Sequence, residues 1–174
     1  MKPVKVILGI VAIIIFGTTL CFAAPNLSGE FIIADFEDNT GVNSPEAALI
    51  LITLDGNGHG TYQDLYTSET DPLEHGEITY SIAPDGSLTL QEVGESVMDH
   101  GIVSADGNML TLAYPSNWPG IAVGIKKSSG MSNASLNGSY LASYFGDETE
   151  SNSPWAGLAR VTLDGNGHAT YQDL

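Results

Sequence analysis

Apolar residues in this chain alternate with polar ones in short runs, and glycine-containing corners separate the runs. The runs are Gly29–Glu37, Ala47–Leu54, His59–Tyr66, Gly76–Ala83, Ser87–Val93, His100–Ser104, Asn108–Tyr114 and Gly120–Lys127. Each reads as a β-strand, because successive strand side chains point to opposite faces and a half-buried strand needs only one apolar face. Beyond residue 23 no stretch keeps apolar residues at i, i+3, i+4 and i+7 for three turns, so helix is expected only as a short connector. Asp55-Gly56-Asn57-Gly58, Asp85-Gly86 and Asp106-Gly107 lie between runs. Such pairs suit two-residue type I′ hairpins, whose central residues both need positive φ. Eight short strands with close corners predict an all-β fold: an antiparallel eight-stranded meander barrel, or a sandwich.

The pattern then starts again. At a shift of 109 residues, Leu27–Leu65 lies on Leu136–Leu174 without a gap, and 22 of the 39 positions are identical. TLDGNGHGTYQDL at Thr53–Leu65 returns at Thr162–Leu174 with Gly60 replaced by Ala169. Identity of that density marks an internal duplication. The expected organisation is a first barrel over 27–127, a linker over 128–135 and an incomplete second repeat of about three strands over 136–174. Truncation is favoured over a natural stub that another chain completes. Three strands leave an open edge that could pair with another chain, so residues 136–174 are expected to be less protected than 27–135.

Differences between the copies orient the strands. Leu51 becomes Arg160, whereas Ala48, Ile50, Ile52 and Leu54 become Gly157, Ala159, Val161 and Leu163 and stay apolar. The even set is therefore expected in the core, with Leu49 and Leu158 left on the outer parity. Ile78, Tyr80 and Ile82, and likewise Ile121, Val123 and Ile125, are expected as further inward rows.

The first residues change the compartment. Lys2 and Lys5 precede the apolar run Val6–Leu20, and Cys21-Phe22-Ala23 ends it on a small residue. This reads as a signal peptide over 1–23, cleaved after Ala23. An uncleaved anchor is the alternative, but the run is short of the ~20 residues a span needs. Lipidation at Cys21 is disfavoured because Leu20, just before it, is not small. The expected location is secreted, periplasmic or cell-surface.

Without residues 1–23 the chain keeps three basic residues (Lys126, Lys127, Arg160) against 21 acidic ones, a net charge of −18 with neutral histidines. That field repels phosphate backbones and anionic lipid, so neither nucleic acid nor an anionic membrane surface is expected as a partner. The only cysteine falls within the signal, which leaves no disulfide, thiol nucleophile or Cys-ligated metal.

Candidate chemistry is sparse. Asp55-Gly-Asn57-Gly-His59 resembles the opening of a calcium loop, but the fifth place is His59 and the twelfth is Tyr66, where oxygen ligands are needed. The hairpin reading is preferred, with His59 and His168 exposed and paired across its mouth. His75 and His100 stand near Glu74, Glu77 and Asp99 without spacing that shows convergence on zinc. Two acidic clusters (Asp35, Glu37 and Asp38; Glu69, Asp71 and Glu74) read as a solvated rim. No Gly-x-Ser-x-Gly elbow is present, and the glycines at 56 and 58 lack the Lys and helix of a phosphate loop. No residue is assigned a catalytic, cofactor-binding or metal role.

Gly29-x-Phe31 and Gly138-x-Tyr140, each opening the first strand of a unit, resemble the Gly-x-aromatic start of calycin-type barrels such as lipocalins and avidins. The resemblance implies a meander barrel, commonly enclosing one small apolar ligand, and carries no binding residues over. Trp118 and Trp155 are expected in loops, which argues against an aromatic ligand cage.

The leading functional expectation is an exported, non-enzymatic tandem-repeat β module with a binding or structural role at or outside the cell envelope. One alternative is a calycin-like carrier of a small apolar ligand; another is a secreted hydrolase using a carboxylate pair. The interior separates the first two, since a carrier needs a cavity where a structural module packs solid.

Overall fold

The computed structural model describes residues 26–39, 44–68, 72–114, 119–148 and 153–174. The proposed signal at 1–23, Trp118, Glu69 and Asp71 lie outside them.

Eight strands follow the alternating runs to within a few residues: β1 Ser28–Asn39, β2 Ser44–Asp55, β3 His59–Thr67, β4 His75–Ile82, β5 Ser87–Glu92, β6 Asp99–Val103, β7 Met109–Tyr114 and β8 Gly120–Lys126. Each pairs antiparallel with the next, and β8 pairs back onto β1 to close a barrel. Closure removes the free edges that an open sheet would present. The barrel is therefore the meander that the sequence pattern predicts. One irregularity, between Leu49 and Ile50 on β2, leaves Leu65 of β3 as the extra residue of a bulge.

The up-and-down path sorts the connections into two groups. At one end the chain turns tightly through residues 56–58, 83–86 and 104–108. At the other end, here called the mouth, β1, β3, β5 and β7 finish and β2, β4, β6 and β8 begin. The tight corners occur where the sequence places them, but their geometry differs from the expected type I′. Gly86 N–H donates to Ala83 C=O, which makes Pro84 and Asp85 the central pair. Proline fixes φ near −65°, so a turn needing positive φ at both central residues is excluded there. Glycine instead follows the pair, with φ +87° at Gly86 and +67° at Gly107. The aspartates act as local acceptors: Asp55 Oδ1 takes the N–H groups of Asn57 and His59, and Asp106 Oδ1 takes that of Asn108.

The core fills the tight-turn half. Leu27, Phe31, Leu54, Leu88, Leu110 and Val103 are all buried there. Each large one contributes about 1.5–3 kcal/mol by leaving water. Tyr80 secures this end: its hydroxyl donates to Leu27 C=O at 2.6 Å and accepts from Gly56 N–H at 2.9 Å. The even set of β2 and the row Ile78, Tyr80, Ile82 face inward as expected.

The row Ile121, Val123, Ile125 does not. Ile121 and Ile125 are 58% and 61% exposed, while Ala122 and Gly124 point into the barrel. Space decides the phase. A Cβ at Gly124 would lie 2.9 Å from the Leu110 side chain and 3.2 Å from that of Ile33, so only small residues fit this wall. The larger ones are displaced outward, opposite Phe36, Ala34 and Ile32 of β1.

Beyond a 3-10 turn at Asn133–Ser135, the second unit forms β9 (Asn137–Glu148), β10 (Ser153–Asp164) and β11 (Ala169–Asp173), an antiparallel sheet in the order β11-β10-β9. Trp155 sits in β10, not in a loop, and meets Tyr144 edge-to-face at 5.4 Å. Among the described residues of this sheet, only Ala159 is a buried hydrophobic.

Candidate functional site

The mouth half of the barrel is hollow. A cavity of about 270 Å³ opens there above an apolar floor of Ile33, Ile50, Ile52, Ile78, Leu90 and Leu112. Its walls carry Asp35 and Glu37 from the end of β1 and Glu46 from the start of β2. Asp64 closes β3, Glu74 precedes β4, Glu92 ends β5 and Asp99 opens β6. Seven carboxylates thus converge because each inward row runs out of apolar residues as it reaches the mouth. Tyr62 and Tyr114 complete the lining.

Alternation held the signal for these acids. Asp35 and Glu37 share the parity of Phe31 and Ile33, and Glu46 that of Ala48 and Ile50, so the rows that build the core also carry carboxylates inward. Treating Asp35 and Glu37 as solvated rim missed this: both are half-buried in the cavity wall. The structure gathers acids from six connected segments that no local spacing relates. Glu74, from the second sequence cluster, joins them; Asp38 has no described side chain.

Most of these carboxylates find partners. Glu92 Oε1 accepts the Tyr62 hydroxyl at 2.7 Å, Glu46 Oε1 accepts the Thr67 hydroxyl at 2.8 Å, and Asp64 Oδ2 accepts Glu74 N–H at 3.0 Å. Asp35 is only partly satisfied. Glu37 and Tyr114 are its side-chain hydrogen-bond neighbours, yet its Oδ1 atom is fully buried and has no partner among the described residues. Burial, and then the facing carboxylate, push Glu37 well above the ordinary carboxylate range, so it holds a proton that it donates toward Asp35. Burial raises Asp35 as well. Burial and the Asp35 charge push Asp99 up to about 6. Tyr114 is driven higher by burial and by Asp35, Glu37 and Asp99, so it remains a neutral donor.

Among the described residues, no base answers this charge. Lys127 Nζ is bound to Glu30 Oε2 at 2.8 Å, and Lys126 Nζ lies over the Phe31 ring at 5.9 Å; both leave β8 at the tight-turn end. Arg160 belongs to the second unit. His75 and His100 are exposed on β4 and β6, and neither lines the cavity. His59 is exposed with its N–H on Asp55, while His168 Nδ1 meets Asp164 Oδ2 at 3.0 Å, each within its own hairpin. Among the described residues, no three His, Cys, Asp or Glu side chains are arranged to hold a metal ion.

No family model, curated protein or solved structure matches the chain.

Proposed function

We propose that this protein is an exported, non-enzymatic binding module of calycin-like form, whose first barrel holds a small molecule in its mouth half. The observation that carries this reading is the cavity: a structural module would pack its interior throughout, whereas here solid packing stops halfway. At about 270 Å³ it lies just below the ~300–1,000 Å³ usual for ligand pockets, which suits a compact ligand. The calycin comparison is supported by Gly29, held at φ +104° beside Lys126, and by the wholly buried Phe31 two residues later. Export rests on the Lys2–Ala23 pattern.

The test is native mass spectrometry of protein from its own host, joined to amide chemical-shift mapping with a small-molecule panel. One stoichiometric ligand, or shifts confined to the mouth, is expected. A bare protein whose mouth resonances respond to no compound would sink the proposal.

Glu37, a protonated acid beside Asp35, gives the hydrolase reading one specific observation. Turnover of a glycoside panel, abolished in Glu37→Gln, would establish that reading in place of simple binding.

A further inference from the structure

The cavity's chemistry narrows its ligand, granted the binding reading above. We propose that the mouth selects a small organic cation, a protonated amine on a short apolar body, with Asp35 and Asp99 receiving the ammonium group and the isoleucine floor receiving the body.

Three independent observations support this. The cavity itself has two chemical zones, an apolar floor and a carboxylate wall, and its volume equals roughly nine waters at ~30 Å³ each. Asp35 lines the cavity and accepts from Glu37 and Tyr114, while its Oδ1 has no partner among the described residues. Finally, among the described residues no base serves this wall, since Lys126 and Lys127 are engaged at the opposite end and Arg160 belongs to the second unit.

The second copy carries other residues at three of these acid positions. Asp35, Glu37 and Glu46 correspond to Tyr144, Gly146 and Trp155, while Phe31, Ile52 and Leu54 correspond to Tyr140, Val161 and Leu163. Asp64 is kept as Asp173, so the change is confined to part of the wall.

The test compares three probes of one shape on the full chain by amide chemical-shift titration: 2-phenylethylammonium, neutral 2-phenylethanol and anionic phenylacetate. A charge-assisted hydrogen bond contributes ~1.5–3 kcal/mol, and 1.4 kcal/mol is tenfold, so the ammonium should bind at least about tenfold tighter than the alcohol. Phenylacetate should not bind. Asp35→Asn should remove about that tenfold for the ammonium, leave the alcohol unchanged and raise Tm at pH 8; Asp99→Asn provides a second variant with the same pattern. Equal or tighter binding of the alcohol overturns the cation proposal and leaves the binding module standing. So does calcium chloride alone moving the same resonances at lower concentration than the ammonium. Silence of all three probes and of the wider panel overturns both readings.

Discussion

At the scale of single residues, the barrel depends on a few positions where backbone geometry admits one answer. Gly86 combines φ +87° with a would-be Cβ 3.1 Å from Val103 C=O. The Gly86→Ala variant should lose about 1–2 kcal/mol. That corresponds to a fall in Tm of ~4–8 °C for each kcal/mol in a domain of this size, measurable by thermal denaturation. An unchanged Tm would show that the corner relaxes freely. Such positions are legible in sequence, because Asp-Gly after a strand run announces a corner. The mouth acids were less so. Parity aims Asp35 inward, but an isolated carboxylate at a strand end reads equally as rim until the other strands come round to bury it.

At the scale of elements, corners and alternation specify the order and lengths of the strands, while the contacts between distant elements must be seen. Tyr80 links β4 to Leu27, 53 residues away, and to the β2–β3 corner. Tyr80→Phe keeps the packing ring and removes the hydroxyl, leaving Leu27 C=O and Gly56 N–H without it. A loss of about 1–3 kcal/mol is expected in urea unfolding. A variant as stable as the parent would show that water replaces the hydroxyl. The β8 row shows where pattern reasoning fails. Gly120–Lys126 alternates well in either phase, and the choice of Ala122 and Gly124 over three larger residues was made by Ile33 and Leu110 on the flanking strands β1 and β7. Hydrophobicity alone favoured the wrong face, since volume rather than polarity was limiting.

At the scale of the whole molecule, charge and repetition set the behaviour. Asp99 is raised from 3.8 to about 6, and the Asp35–Glu37 pair is raised too. The groups around them are Glu46 on β2, Asp64 on β3, Glu74 before β4, Glu92 on β5, His100 beside Asp99 on β6 and Tyr114 on β7, with no base among the lining residues of β8. For acids raised in the folded state, that state binds more protons than the unfolded chain, so stability falls as pH rises from about 4 through 6 and further as Glu37 ionises. Asp55, Asp85 and Asp106 act oppositely: hydrogen bonds to their carboxylates lower them, and that contribution is lost only as pH falls through the acid range. The barrel should therefore unfold at a higher temperature at pH 5 than at pH 8. The reverse order in a pH series of melts would contradict the buried mouth acids.

Repetition makes a second prediction at this scale. Leu27 is 1% exposed and its counterpart Leu136 is 46% exposed, although both units open on Leu-x-Gly. Amide exchange should protect β1–β8 strongly and β9–β11 weakly, and equal protection in the monomer would refute this.

The separation of the packed corner end from the hollow mouth means that the molecule has a foundation and a crown. The corners and the packed half beneath them can hold the sheet in register while the crown is rewritten, one connection at a time. New specificities can then arise in such a chain by copying the whole unit and editing only its rim, which is the kind of change that separates Asp35 and Glu46 from Tyr144 and Trp155.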